Sequence, residues 1–194
     1  MSVYLSIDLD YWMNHESVDD SDHFFDLVFA HCHALKIPIR LVREHHWLLP
    51  HINASKCEDV WNIDYHSDLA DRDKHGRIEL NCGTWGNHVR FRAKGTYVWC
   101  APDQRCRSNG EGWCHIMRNP FVSDCSGWKR TRSLIGWKRI PWEQVRRVGV
   151  AVSPDFFKVA PVEGVLSRFK LFGSPMAECH IGDWDRLRAR TVRV

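Results

Sequence analysis

Four short, β-prone apolar runs each lead into carboxylates or histidines, and this repetition limits the folds open to the chain. Val3-Tyr4-Leu5-Ser6-Ile7 runs into Asp8 and Asp10. Pro38 to Val42 leads to Glu44, His45 and His46. Asp59 to Ile63 gives way to Asp64, His66 and Asp68, and Arg146 to Val152 is followed by Asp155. Helical spacing fills the gaps between the first three runs. Phe24, Leu27, Val28, His31 and Leu35 recur at the period of an amphipathic helix over residues 22–36, with Ser21 as its expected N-cap, and residues 47–55 suit a short helix. Strand, helix, strand, helix, strand is the pattern of βαβ units, so the expected fold is α/β with a central, mainly parallel sheet. A later helix is expected from Pro161 to about residue 172.

Parallel strands end at a common edge, and open α/β sheets bind ligands in the crevice outside that edge. Four separate stretches therefore deliver acidic and imidazole groups to one place. Alternation along a strand puts Asp64, His66 and Asp68 on one side. Carboxylates so gathered raise one another's pKa, and burial adds a desolvation cost that a divalent cation removes. Mostly carboxylate oxygens with one or two imidazoles suit Mn²⁺ better than thiol-seeking zinc, and the supply of donors is enough for two ions.

Composition bounds the alternatives. The 194 residues are 44% hydrophobic and 26% charged, which fits one globular domain over 1–194. No apolar run reaches membrane length, and the opening MSVYLSIDLDYW has no signal-peptide pattern, so a cytoplasmic protein with no membrane partner is expected. In that compartment the eight cysteines are expected as free thiols, and Cys100, Cys106, Cys114 and Cys125 lack the spacing of a zinc knuckle. The net charge of +3 hides an asymmetry: residues 1–85 hold 7 Lys/Arg and 15 Asp/Glu, whereas residues 86–147 hold 13 and 4. The stretch at about 100–140 reads as an irregular, basic, Trp/Cys-rich insertion. Its charge suits a solvated surface, an acidic peptide or nucleic acid. Nucleic-acid binding ranks last, because it leaves the acidic strand ends without a role.

These residues resemble a known family. Asp-x-His-x-Asp after a strand, Ser-x-Asp-x-Asp after a strand and an acidic-His pair opening a helix resemble the ureohydrolases, the family of arginase and agmatinase. The segments SIDLDYW, EHHWLLP, NIDYHSDL and VSPDFF resemble a compact branch that includes the peptide arginases, which convert arginine side chains of ribosomally made precursor peptides to ornithine. The resemblance covers scattered positions over most of the chain. It implies a three-layer arginase-like fold, two Mn²⁺ per chain, and metal ligation by Asp8, Asp10, His45, Asp64, His66 and Asp68, with His46 as the alternative to His45. It further implies that Asp64 and Asp8 bridge the ions, that Asp155 and Glu44 hold the substrate's guanidinium, and that Asp68 and His88 serve proton transfer. Two departures stand out. Here the Asp-x-Asp segment precedes Asp-x-His-x-Asp, as if the strand order were permuted, and the double glycine usual before the ligand histidine is replaced by Leu41-Val42-Arg43-Glu44. The expected activity is metal-dependent hydrolysis of arginine side chains in a precursor peptide, giving ornithine and urea. A small-molecule ureohydrolase for free arginine or agmatine and a two-metal phosphoesterase are the enzymatic alternatives. The crevice of so short a chain is shallow, which leaves room for a wall from a second subunit in a homo-oligomer.

Overall fold

The computed structural model describes residues 1–12, 18–69, 78–91, 95–102, 131–153 and 190–192. Asp155, the helix expected from Pro161 and residues 103–130 of the expected insertion lie outside the described residues.

One sheet organises the molecule. Its strands are β1 (Val3–Asp8), β2 (Ile39–Val42), β3 (Asp59–Ile63), β4 (Tyr97–Ala101), β5 (Thr131–Ile135), β6 (Val145–Ala151) and β7 (Arg190–Val192). They lie in the order β5-β4-β3-β1-β6-β2-β7. The first six are parallel, and β7 runs antiparallel to β2 at one edge. The α/β class with a mainly parallel sheet follows directly. Strands step one way from β1 to β2 and the other way from β3 to β5. That reversal sets the exits of β3, β1, β6 and β2 side by side, at the kind of switch point where such sheets bind ligands.

All six residues of β1 are buried, as in a strand covered on both faces. Its alternation assigns the two sides. Val3, Leu5 and Ile7 join Phe24, Phe25, Val28 and Cys32 of α1 (Val18–Leu35) in one core, while Tyr4 joins Leu49 and Ile52 of α2 (Leu49–Ser55) in the other. α1 begins one turn ahead of Ser21, which therefore sits inside the helix and does not cap it. The short helix expected over 47–55 is a 3₁₀ turn at His45–Leu48 leading into α2, which stops at Lys56 in a left-handed conformation (φ 59°). Thr131–Ile135, inside the stretch expected as irregular insertion, is instead a strand registered on β4 from Tyr97↔Thr131 to Ala101↔Ile135. A five-residue run of mixed polarity carries little periodic signal, and hydrogen bonding to β4 imposes its conformation. No described helix is long and apolar enough to cross a membrane.

Gly149 shows how tightly the α2 side is filled. A Cβ there would lie 2.7 Å from both Leu48 Cδ2 and the Tyr4 hydroxyl. The absent side chain lets the turn before α2 settle onto the sheet. Gly149→Val is expected to lower stability by about 1–3 kcal/mol through overpacking, read as a lower melting temperature in a thermal scan.

Candidate metal centre

The site grows from a polar ladder in otherwise apolar strands. Ser6 and Asn62 are register partners in β1 and β3, and each points to the same face as the aspartate two positions on, Asp8 or Asp64. These side chains emerge on the α2 side at the C-terminal ends of the strands, where the 3₁₀ turn at His45–Leu48 begins. His45 is fully buried there.

Three carboxylate oxygens surround one imidazole nitrogen. His45 Nδ1 lies 3.0 Å from Asp8 Oδ2, 3.0 Å from Asp64 Oδ2 and 3.0 Å from Asp68 Oδ2. It is aligned for a hydrogen bond with none of them. Each donor is also held from outside by an uncharged group. Ser153 Oγ donates to Asp8 Oδ2 (2.5 Å), Asn62 Nδ2 donates to Asp64 Oδ2 (3.1 Å), the Trp85 indole N–H donates to Asp68 Oδ2, and His45 Nε2 is hydrogen bonded to Ser6 Oγ (2.8 Å). Such outer partners orient ligands without neutralising them. The three 3.0 Å spacings all run from His45 Nδ1, and Asp8, His45 and Asp64 lie close enough together to share one cation, with Asp68 beside that set.

A second group shares Asp64. Its Oδ1 accepts the His66 backbone N–H (2.7 Å) and lies 4.0 Å from His66 Nδ1, which is 3.0 Å from Asp10 Oδ2. Asp10 Oδ1 accepts the Tyr65 N–H (3.3 Å). Asp8, His45 and Asp64, and likewise Asp10, Asp64 and His66, are sets whose donor atoms all fall within 4.8 Å of one another. The first set is buried; the second opens to solvent through His66, whose side chain is 35% exposed.

Electrostatics describe the cost of gathering these groups. Burial pushes Asp64 up to about 7, with the Asp68 charge adding to it, and burial followed by the Asp64 charge brings Asp10 to about 6. Asp8 is raised by burial and by Asp10. Burial works to lower His45, but Asp8, Asp64 and Asp68 outweigh it and hold the imidazolium well above its usual range. The cluster thus holds its protons to higher pH than ordinary aspartates do, and a bound cation would compete with them for the same oxygens.

Two non-glycine residues at the centre adopt left-handed backbones, Asp68 (φ 53°) and Ser153 (φ 47°), conformations that persist where the surroundings over-determine them. For Asp68 the constraint is the turn at Trp85–His88. Gly86 N–H donates to the Asp68 carbonyl (3.0 Å), and a Cβ on Gly86 would meet that oxygen at 2.8 Å. Trp85 is fully buried, bonds Asp68 and lies 4.6 Å, centroid to centroid, from the His45 ring.

The other expected site residues fall outside this knot. His46 is half-buried beside Trp47, and burial followed by the His45 charge lowers its pKa, so His45 alone of the pair joins the carboxylates. Glu44 is paired with Arg43 (3.1 Å) at the rim. His88 is half-buried, its Nε2 has no hydrogen-bond partner, and its carbonyl accepts from Asn53 (3.4 Å). Asp155 lies outside the described residues. Ser6, Asn62, Ser153 and Trp85 are additions from the structure. Ser6 and Asn62 stand out in retrospect as polar positions alternating with the aspartates, whereas no local pattern marks Trp85.

No family model, curated protein or solved structure matches the chain significantly. The chemical assignment therefore rests on the donor geometry and on the motifs.

Trp85→Phe keeps the aromatic packing and removes the indole donor. It is expected to weaken divalent-metal binding about 10–100-fold, the usual cost of losing an outer partner, measured by calorimetric titration with Mn²⁺.

Proposed function

We propose that the chain is a hydrolase with a binuclear divalent-metal centre that cleaves the guanidinium of arginine residues in a peptide, releasing urea and leaving ornithine. The observation that carries this reading is Asp64, whose two oxygens face different donor groups. Asp8, His45 and Asp64 would hold one cation, with Asp68 beside them as a further donor that the motifs suggest, and Asp10, Asp64 and His66 the other. Aspartate oxygens with single imidazoles suit Mn²⁺. A cation pair of this kind, when bound, acidifies a water and supplies a nucleophile near neutral pH.

The choice of substrate rests on charge and on the motifs. Four aspartates offset the charge of two divalent cations. A guanidinium cation fits such a site, and the ureohydrolase-like motifs point to the same substrate. Glu44 and Asp155 are the candidate anchors for its N–H groups. Asp68 or His88 is the candidate carrier of the proton needed by the departing amine. The exposed flank at His66 gives an extended chain an approach to the buried donors.

The test incubates an arginine-containing peptide with the protein, with and without Mn²⁺, beside a urea assay on free arginine. The expected result is a metal-dependent mass decrease at arginine equal to urea minus water. Turnover of free arginine alone moves the assignment to a small-molecule ureohydrolase. Release of phosphate from an aryl phosphate, with no urea from either substrate, replaces it with a phosphoesterase.

A further inference from the structure

The opposite end of the sheet holds a second concavity that the metal centre does not use. The last turn of α1 and the entry to β6 border an open concavity of about 690 Å³, a volume within the roughly 300–1,000 Å³ of ligand pockets. Strands of five to seven residues at about 3.3 Å per residue put this cavity roughly 20 Å from the carboxylates.

Its lining is cationic and partly apolar. Lys36, Arg146 and Arg147 face one acid, Glu143. Among the described residues none of these three cations pairs with a carboxylate. Both guanidinium groups are tethered by one nitrogen. Arg146 Nη1 donates to the carbonyls of Glu143 (2.7 Å) and Val145 (3.0 Å), and Arg147 Nη1 donates to that of Arg146 (2.8 Å). A guanidinium has five N–H donors, so each keeps others for a ligand while its own freedom is already reduced. Trp142 and His31 form an aromatic wall with ring centroids 5.6 Å apart, and His31 Nε2 donates to the Val145 carbonyl (3.3 Å). Beside them Leu35 is 51% exposed, one of three large apolar side chains so exposed among the described residues.

We propose that this cavity docks an acidic peptide segment that also carries apolar side chains. Its carboxylates meet Lys36, Arg146 and Arg147, and its apolar groups cover Leu35 and Trp142. Charge complementarity selects the acid. The exposed leucine selects a peptide over a nucleic acid, whose phosphates would leave Leu35 uncovered. The proposal stands apart from the reading of the metal centre, and either holds without the other.

The probe is a fluorescently labelled peptide of Asp, Glu and Leu, compared with its Asn/Gln counterpart by fluorescence anisotropy. The wild-type protein is expected to bind the acidic peptide, with affinity falling at least about tenfold in the Arg146→Glu, Arg147→Glu double variant, in proportion to the charge pairs removed. Leu35→Ser is expected to weaken binding by a smaller factor. If charge reversal prevents folding, judged by circular dichroism, the Arg146→Gln, Arg147→Gln pair takes its place with the same expected direction. No binding of the acidic peptide overturns the proposal. So does equal binding of the Asn/Gln peptide, unchanged affinity in the arginine variants, or tighter binding of an RNA oligonucleotide that depends on the same residues.

Discussion

Asp64→Asn is expected to abolish binding of both cations while leaving the metal-free fold intact. The loss should exceed the roughly 10–100-fold change that outer partners produce, because one oxygen of Asp64 serves each donor group. The substitution removes a carboxylate that burial and Asp68 push up to about 7, so at pH 8 it relieves repulsion. The metal-free variant is therefore expected to melt no lower than metal-free wild type at that pH. Isothermal titration with Mn²⁺ reads the first effect and a thermal scan the second. Retained binding of two ions per chain would remove Asp64 from the bridging position. Loss of fold without metal would mean that the carboxylate serves stability and not a cation.

Metal and pH are expected to act on stability in opposite directions. Asp10, raised to about 6, and Asp64, raised to about 7, keep protons in the folded state that an unfolded aspartate releases near pH 3.9. Folded-state values above the unfolded ones make a contribution that is complete below about pH 4 and is lost as pH rises through 6 to 7. His45, held well above its usual range, acts in the same direction at higher pH. Metal-free protein should thus melt progressively lower from pH 5 to pH 8. Cations bind the deprotonated donors, so their affinity rises over the same interval. At pH 8, Mn²⁺ at a hundred times its dissociation constant should add about 2.7 kcal/mol, or roughly 5–11 °C for a chain of this size. At pH 5 the gain should shrink towards zero. Scanning calorimetry at the two pH values, with Mn²⁺ or with EDTA, reads all four conditions. A metal-induced gain that is equal at both would show that protons and cations do not compete for these side chains.

The strands were legible to different degrees, for physical reasons. β1, β2, β3 and β6 combine apolar residues with a charged exit, and both signals are local. Tyr97–Ala101 is as apolar as β1, but it is followed by a lone Asp103 after Pro102 and by no cluster of carboxylates and imidazoles, so nothing tied it to the others. Thr131–Ile135 is a strand because β4 offers it an edge, which its own composition does not announce. At the candidate metal centre, Asp8, Asp10, Asp64, His66 and Asp68 stood out in the sequence by residue type, by alternation and by the ureohydrolase-like motifs, and the fold gathers them at neighbouring strand exits. The choice between His45 and His46 was not legible there, since adjacent residues in a tight turn point in different directions and only packing decides which one faces the sheet.

By itself the sequence determined which chemical groups would reach the strand exits, because side-chain alternation and parallel strand ends are consequences of backbone geometry. The tertiary structure decided how those groups meet. It turned His45 inward, and through Trp85 and Gly86 it fixed Asp68 in a left-handed conformation from 17 and 18 residues away. It also placed Ser153 against Asp8 across 145 residues of chain. Contacts at that separation depend on strand order and close packing, and neither leaves a periodic trace in the sequence.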